Sequence, residues 1–241
     1  MKKITILGGA GFIGHNLAIR LKSIGYQCQI IDSLTVNNLK AKKHTNVRNK
    51  TLFKKVLNER FKLLNRSKIK TIQNDLKLNG EFTKKIIKFK PNIIIHLAAV
   101  SHANISNIDP EYTFDNSLIT LMNTLKITKK IKSHLIFFSS SMVYGNFNGK
   151  KVDENTKCNP IGIYGNLKLA GEMMVKSYSH VFRFPYTIIR PSALYGERCV
   201  SRRVGQIFIE NALQGLDLEI NGDGEEKLDF TYIQDLIHGI E

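Results

Sequence analysis

A doubly wound α/β fold, a parallel sheet covered on both faces by helices, is predicted by three observations. Apolar runs with strand character alternate with amphipathic segments along most of the chain, the order that gives parallel strands joined by crossover helices. The first apolar run, Ile4-Thr5-Ile6-Leu7, leads into a turn with Gly8, Gly11 and Gly14 spaced G-x-x-G-x-x-G, and an amphipathic stretch with Leu17, Ala18, Leu21 and Ile24 follows. A second apolar run, Cys28-Gln29-Ile30-Ile31, ends on Asp32, eighteen residues after Gly14.

Each part of this opening unit has a physical use in holding a dinucleotide. The first glycine permits a sharp turn, the second lets a pyrophosphate approach the backbone, and the third lets the helix pack close to the strand. The start of that helix offers free N–H groups and the positive end of its dipole to an anion. Asp32 stands at the spacing of an acid that binds the adenosine ribose hydroxyls. The plainer alternative for Asp32 is a turn or helix-cap residue.

The remaining elements follow in order. Residues 51–64 carry Leu52, Val56, Phe61 and Leu64 on a rough stripe, a helix that lengthens the second crossover. Residues 70–76 read as a strand with a polar edge at Asp75, and residues 82–89 as a helix stopped by Pro91. Residues 92–99 form a buried strand followed by the small Ala98 and Ala99, which would leave room for a flat ligand. One long helix is expected over 112–131, then a strand over 134–138 that runs into Ser139-Ser140-Ser141. A helix within 161–179 and a strand at 186–190, ended by Pro191, come next. Then follow a helix at 204–213, a short strand at 218–220, a turn at Asp223-Gly224, a last strand at 230–233 and a helix from Asp235 that runs to Glu241. A chain that ends within a helix reads as one lacking its final elements.

Composition narrows the class. A chain of 241 residues can bury a substantial core, and no run of about 18 apolar residues offers a membrane span. The N-terminus is a strand, which argues against a signal peptide. Cys28, Cys158 and Cys199 are far apart, with neither zinc spacing nor a disulfide framework. No metal is expected, and a reducing cytoplasm is the expected compartment. The net charge is +16, and between Lys40 and Lys70 lie twelve Lys or Arg and one acid, Glu59. That region lacks a recognition motif and stacking aromatics, so it reads as a solvated basic surface rather than a nucleic-acid site. Attraction of an anionic substrate is compatible with it.

Two further features carry chemistry. Tyr164 and Lys168 are four apart in a helical segment and share a face. An ammonium beside a phenol favours phenolate and lowers its pKa. The serine cluster sits at the C-terminal end of a strand, where open parallel sheets bind ligands. A serine there could hold a substrate oxygen while Tyr164 moves its proton. With the glycine turn, these are parts for hydride transfer at a carbon bearing a hydroxyl.

On these residues the chain resembles the extended short-chain dehydrogenase/reductases, in particular the NAD-dependent sugar-nucleotide epimerase/dehydratase family typified by UDP-glucose 4-epimerase. The motifs that carry the resemblance are GGAGFIG at 8–14, Asp32, Asp75-Leu76, HLAA at 96–99, SSSMVYG at 139–145, YGNLK at 164–168, RPSALYG at 190–196 and GDGEEKLDFTYIQDL at 222–236. The resemblance implies a Rossmann-type NAD-binding domain over residues 1–190 that carries the catalytic residues. A small, incomplete substrate-binding region over 191–241 would complete it. It implies Ser140, Tyr164 and Lys168 as catalytic residues, with Tyr164 also at the cofactor and Lys168 also on its ribose. Gly8, Gly11, Phe12, Ile13 and Gly14 would take the pyrophosphate, and Asp32 would favour NAD over NADP. Asp75 and Leu76 would flank the adenine, Leu97, Ala98 and Ala99 the middle of the cofactor, and Pro191 and Ser192 the nicotinamide. Ser140, Ser141, Arg198 and Arg203 are expected on the nucleotide-sugar side. The family also implies a homodimer through the helices at 112–131 and 161–179.

Departures from the family pattern narrow the activity. The 4,6-dehydratases place Asp-Glu directly before Val-Tyr-Gly, where this chain has Ser141-Met142. Neither can do the proton work of dehydration. Ala193 stands where the family has asparagine, and Leu228 where an arginine often grips the substrate diphosphate. The expected activity is therefore epimerisation of a nucleotide sugar by transient oxidation at C4. The alternatives are a 4-keto-sugar reductase or net dehydrogenase of the same fold, distinguished by consumption of free NAD(P)H, and a non-catalytic NAD-sensing or RNA-binding relative. An intact Ser140, Tyr164 and Lys168 argue against that last class.

Overall fold

The computed structural model describes residues 1–41, 50–78, 80–147, 151–201, 203–225 and 227–241. The chain begins with β1 (Lys3–Leu7), α1 (Phe12–Ser23), β2 (Gln27–Asp32), α2 (Lys50–Arg66), β3 (Lys70–Gln73), α3 (Glu81–Phe89) and β4 (Ile93–His96). It continues through α4 (Ala103–Ile108), α5 (Pro110–Phe114), α6 (Thr120–Ile131), β5 (His134–Phe138), α7 (Ile163–Phe182) and β6 (Tyr186–Ile189). The last elements are β7 (Leu194–Tyr195), α8 (Val204–Leu213), β8 (Thr231–Tyr232) and α9 (Ile233–Ile240). Strands β1 to β6 form one parallel sheet in the order β3-β2-β1-β4-β5-β6. This is the doubly wound Rossmann-type architecture expected from the sequence.

Burial on both faces explains why the central strands are continuous apolar runs rather than alternating ones. Ile6 of β1, Ile30 of β2 and Ile95 of β4 sit in register and point to one side, where they pack with Leu17 and Leu21 of α1 and Leu64 of α2. Leu7, Ile31 and Ile94 point to the other side and meet Phe82 and Ile86 of α3, Leu121 and Leu125 of α6 and Val175 of α7. Each such side chain, fully buried, is worth roughly 1.5–3 kcal/mol. Ile233 and Ile237 of α9 join the first of these clusters, so the C-terminal helix packs on the main body. Strands β7 and β8 form a separate two-stranded parallel sheet.

The helix expected over 112–131 forms and runs unbroken from Pro110 to Ile131, with Asp109 capping it by accepting from the Tyr112 N–H at 2.9 Å and a π-helical turn at Asp115–Ile119 between α5 and α6. Several other elements differ from expectation. The strand expected at 218–220 does not form, and Leu218 and Ile220 remain exposed. The last strand shortens to two residues, and α9 starts at Ile233 rather than Asp235. Lys54, Lys55, Lys62 and Arg66 of α2 are exposed, as a solvated basic surface requires, but Arg60 in their midst is buried. The stretch 42–49 of that basic region lies outside the described residues. Among the described residues no helix is long and apolar enough to cross a membrane.

Candidate active site

The sheet order reverses between β1 and β4, and a ligand crevice forms at such a switch point outside the strand C-termini. Gly8 follows β1 with φ +76, and a Cβ there would lie 2.7 Å from the backbone nitrogen of Ala98 beyond β4. Only glycine satisfies both the positive φ and this close approach. The turn opens into a cleft of about 1060 Å³, counted to its open mouth. Gly8, Gly11, Phe12, Ile13, Gly14, Asp32, Asp75, Leu76, Leu97, Ala98 and Ala99 all line it.

Asp32 is buried at the end of β2, where Oδ2 accepts from the Ala10 N–H at 2.9 Å and Oδ1 from the Leu34 N–H at 2.7 Å. Burial raises its pKa, while those two N–H donors and the Arg60 guanidinium oppose the rise. On the far side, the Asn123 amide donates to the Leu76 carbonyl at 2.9 Å, and Asp75 accepts from the Lys77 N–H at 2.9 Å. Helix α1 starts at Gly11 with neither a side-chain cap nor an acid in its first turn, so its N–H groups can serve an anion. A glycine cradle that a Cβ would fill, an uncapped helix start and a buried acid at the ribose end fit a dinucleotide.

A strap crosses this cleft that sequence reasoning did not foresee. Buried Arg60 donates from Nε to the Arg198 carbonyl at 3.0 Å, and its Nη2 donates to the same oxygen. The Arg198 guanidinium turns to α1, donating to His15 Nε2 at 3.0 Å and to Asn16 Oδ1 at 2.9 Å. His102 Nε2 meets the Ser201 carbonyl at 3.1 Å. The Arg198 guanidinium, expected on the nucleotide-sugar side, is held here by α1. Arg203 does line the cleft. One signal for Arg60 was available: with Leu57 and Leu64 it shares the buried stripe of α2, at i, i+3 and i+7.

The catalytic candidates lie at the neighbouring strand ends. Helix α7 carries Tyr164 and Lys168 on one face, and Gly165 lets the helix approach closely: a Cβ there would lie 2.7 Å from the Met142 carbonyl. Ser140 ends the β5 exit and accepts from the Met142 N–H at 3.2 Å, capping a 3-10 turn at Ser141–Tyr144. The Ser141 N–H donates to the Pro191 carbonyl at 3.1 Å, so the serine cluster is tied to the β6 exit that carries Pro191 and Ser192. The lysine ammonium donates to the Phe138 carbonyl at 2.7 Å and lies 5.8 Å from the Tyr164 ring. Burial lowers the Lys168 pKa to about 8, against the pull of Glu172.

The expected lowering of the Tyr164 pKa is not what the protein alone produces. Its ring is partly exposed, but desolvation of the hydroxyl is the leading influence and raises the pKa. A hydrogen bond with Ser140 and the charge of Arg203 oppose the rise. Gly165, next to Tyr164, packs on the Met142 carbonyl of the turn that Ser140 caps, so the two side chains lie on adjoining segments, and Arg203 lines the cleft beside them. Ser140, Tyr164, Lys168, Pro191 and Ser192 do not line the glycine cleft itself.

Comparison with known proteins identifies the family. The model of the NAD dependent epimerase/dehydratase family matches residues 4–241. A Methanocaldococcus jannaschii protein provisionally named a UDP-glucose 4-epimerase is 32% identical over 238 residues, which are 97% of this chain and 70% of the relative. The crystal structure of UDP-glucuronic acid 4-epimerase from Bacillus cereus, in complex with UDP-glucuronic acid and NAD, superposes with a TM-score of 0.85 at 29% identity, over 99% of this chain and 71% of that one. UDP-N-acetylglucosamine 4-epimerase from Methanobrevibacter ruminantium, in complex with UDP-N-acetylmuramic acid, gives 0.80 at 25% identity, over 98% and 71%. With the family pattern spanning almost all of the chain and the glycine cleft formed as that pattern requires, this protein belongs to the NAD dependent epimerase/dehydratase family.

Proposed function

We propose that the protein epimerises a nucleotide sugar at C4 by transient oxidation and re-reduction. The observation that carries this is the seating of α7, which brings Tyr164 and the Lys168 ammonium on one face against the 3-10 turn that Ser140 caps, beside the glycine cleft. Bound NAD supplies hydride acceptance and return at the sugar carbon, with no net redox change. Tyr164 takes the proton from the 4-hydroxyl and returns it, and Ser140 holds that oxygen. Lys168 supplies positive charge below the phenol and a contact for the ribose. Gly8, Gly11, Phe12, Ile13 and Gly14 hold the pyrophosphate, Asp32 the adenosine ribose, and Asp75 and Leu76 the adenine. Leu97, Ala98 and Ala99 lie along the middle, with Pro191 and Ser192 beside the nicotinamide. On the sugar side we retain Ser140, Ser141 and Arg203. Residues 191–241 serve as the substrate-binding region and 1–190 as the cofactor domain.

Ser141-Met142 lack the carboxyls that dehydration needs, which favours epimerisation within the family. A homodimer through α6 and α7 is supported by exposed Met173 and Val181 on α7, and the free Cys28, Cys158 and Cys199 suit a reducing cytoplasm. The test is incubation with UDP-, GDP-, dTDP- and CDP-sugars, with products read by mass and NMR. An isomer of unchanged mass, formed without net NADH, supports the proposal. Stoichiometric consumption of NAD(P)H would replace it by the reductase or dehydrogenase reading.

A further inference from the structure

Tyr164, Lys168 and Glu172 stand one turn apart on the buried face of α7, and only the first two have a place in the reaction so far. Glu172 is fully buried. Its Oε1 accepts from the Ser139 hydroxyl at 2.6 Å and from Arg190 Nε at 2.8 Å, and its Oε2 accepts from Arg190 Nη2 at 2.7 Å. Arg190 Nη1 then donates to the Tyr144 hydroxyl at 2.9 Å. One carboxylate therefore grips the residue before Ser140, the residue before Pro191-Ser192 and, through Arg190, the end of the 3-10 turn that Ser140 caps. All three segments border the proposed reaction centre.

We propose that Glu172 is the positioning residue of this centre: it locks the exits of β5 and β6 to α7 and places a buried carboxylate one helical turn from Lys168. The inference rests on the roles proposed above for Ser140, Tyr164 and Lys168. A buried carboxylate is tolerated only when its lone pairs are met, and here a bidentate arginine and a serine meet them. Burial works to raise the Glu172 pKa, but Arg190 and Ser139 hold it below the usual value, so the group is ionised. Lys168 faces Glu172 and Tyr164 on its own helix, His96 on β4, and the Phe138 carbonyl and Phe137 ring on β5. Arg190 at the β6 exit and Lys176, one turn further along α7 at 4.0 Å, pair with Glu172 itself. Glu172 is the anion of that set, and its charge opposes the burial that lowers the Lys168 pKa.

Two measurements test this on the full chain. The first is the titration of Lys168 against pH, followed by NMR of its 13C-labelled ε-carbon, in wild type and Glu172→Gln. The expected profile of the variant lies about one pH unit lower, while Glu172→Asp, which keeps the charge, stays with wild type. Superimposed profiles in folded Glu172→Gln protein would overturn the proposal. This readout needs no turnover, so a wild type that isomerises no sugar refutes the proposed function and leaves the test of Glu172 intact. The second is turnover in Ser139→Ala, which keeps the carboxylate and tests the positioning role even where Glu172→Gln does not fold. Here kcat should fall about tenfold with KM for the sugar unchanged and no shift in the alkaline limb. Wild-type kcat in Ser139→Ala would show that the carboxylate does not position Ser140.

Discussion

Arg60 on α2 donates from Nε to the backbone carbonyl of Arg198, 138 positions further along the chain, at 3.0 Å. Arg198 in turn holds His15 and Asn16 on α1, so one buried guanidinium fastens the loop that crosses the cofactor cleft. A hydrogen bond to a charged group contributes about 1.5–3 kcal/mol. Arg60→Met keeps much of the volume and removes the donors. NAD should then bind about tenfold more weakly, with a faster dissociation rate in stopped flow. Arg60→Lys should not restore retention, because an ammonium cannot reproduce the forked donation. Unchanged dissociation in Arg60→Met would refute the strap.

Tyr164→Phe removes the phenol oxygen and keeps the ring. Loss of a positioned acid/base group lowers turnover roughly 10²- to 10⁴-fold. The glycine turn, Asp32 and the strap are untouched, so NAD affinity by calorimetry should remain that of wild type. Turnover within a few-fold of wild type would exclude Tyr164 as the proton carrier.

Arg203 should influence the pH at which that phenol works. Burial raises the Tyr164 pKa, and the charge of Arg203 is one of two influences that lower it. Arg203→Met takes that charge away, so the phenol pKa rises further. The acid limb of kcat/KM, which reports the ionised base in the free enzyme, should therefore move to higher pH. A limb that stays in place or moves to lower pH would show that Arg203 does not act on Tyr164.

The sequence made the fold legible where burial alone decides structure. Ile6, Ile30 and Ile95 had to be strand residues because both faces of a parallel sheet are covered, and Gly8 announced the turn because no side chain fits there. Arg60 was hidden because a charge run looks solvated residue by residue, and only its place between Leu57 and Leu64 marks the buried face. The hold of α1 on Arg198 was hidden because its partners, His15 and Asn16, are brought to it only by the tertiary fold. Leu218 and Ile220 suggested a strand by their alternation, but a strand needs a neighbour to bond, and the local run cannot show that none is there. The Tyr164 pKa went the other way because the charge of a nearby lysine is visible in sequence spacing, whereas desolvation is not.

His15 and His96 should make the protein sensitive to acid. The His15 Nδ1–H donates to the Gly11 carbonyl at 2.9 Å while Nε2 accepts from Arg198, so the bonded ring is neutral and protonation at Nε2 would oppose a guanidinium. Burial, then Arg60 and Arg198, lower its pKa to about 3. His96 bonds Thr124 Oγ1 at 3.0 Å through Nδ1, and burial, then Lys168, lower it to about 3 as well. In the unfolded chain both titrate near the ordinary 6.5. Between these values the unfolded state binds the protons and the folded state does not. Stability is therefore fully present above about pH 6.5 and falls as the pH drops toward 3, by an order of 3 kcal/mol per histidine at pH 4. Denaturant unfolding at pH 7, 5.5 and 4 measures this slope. His15→Gln removes one titrating group, so its slope in that window should be smaller by about 1.4 kcal/mol per pH unit; parallel slopes for variant and wild type would mean that His15 is already protonated in the folded protein.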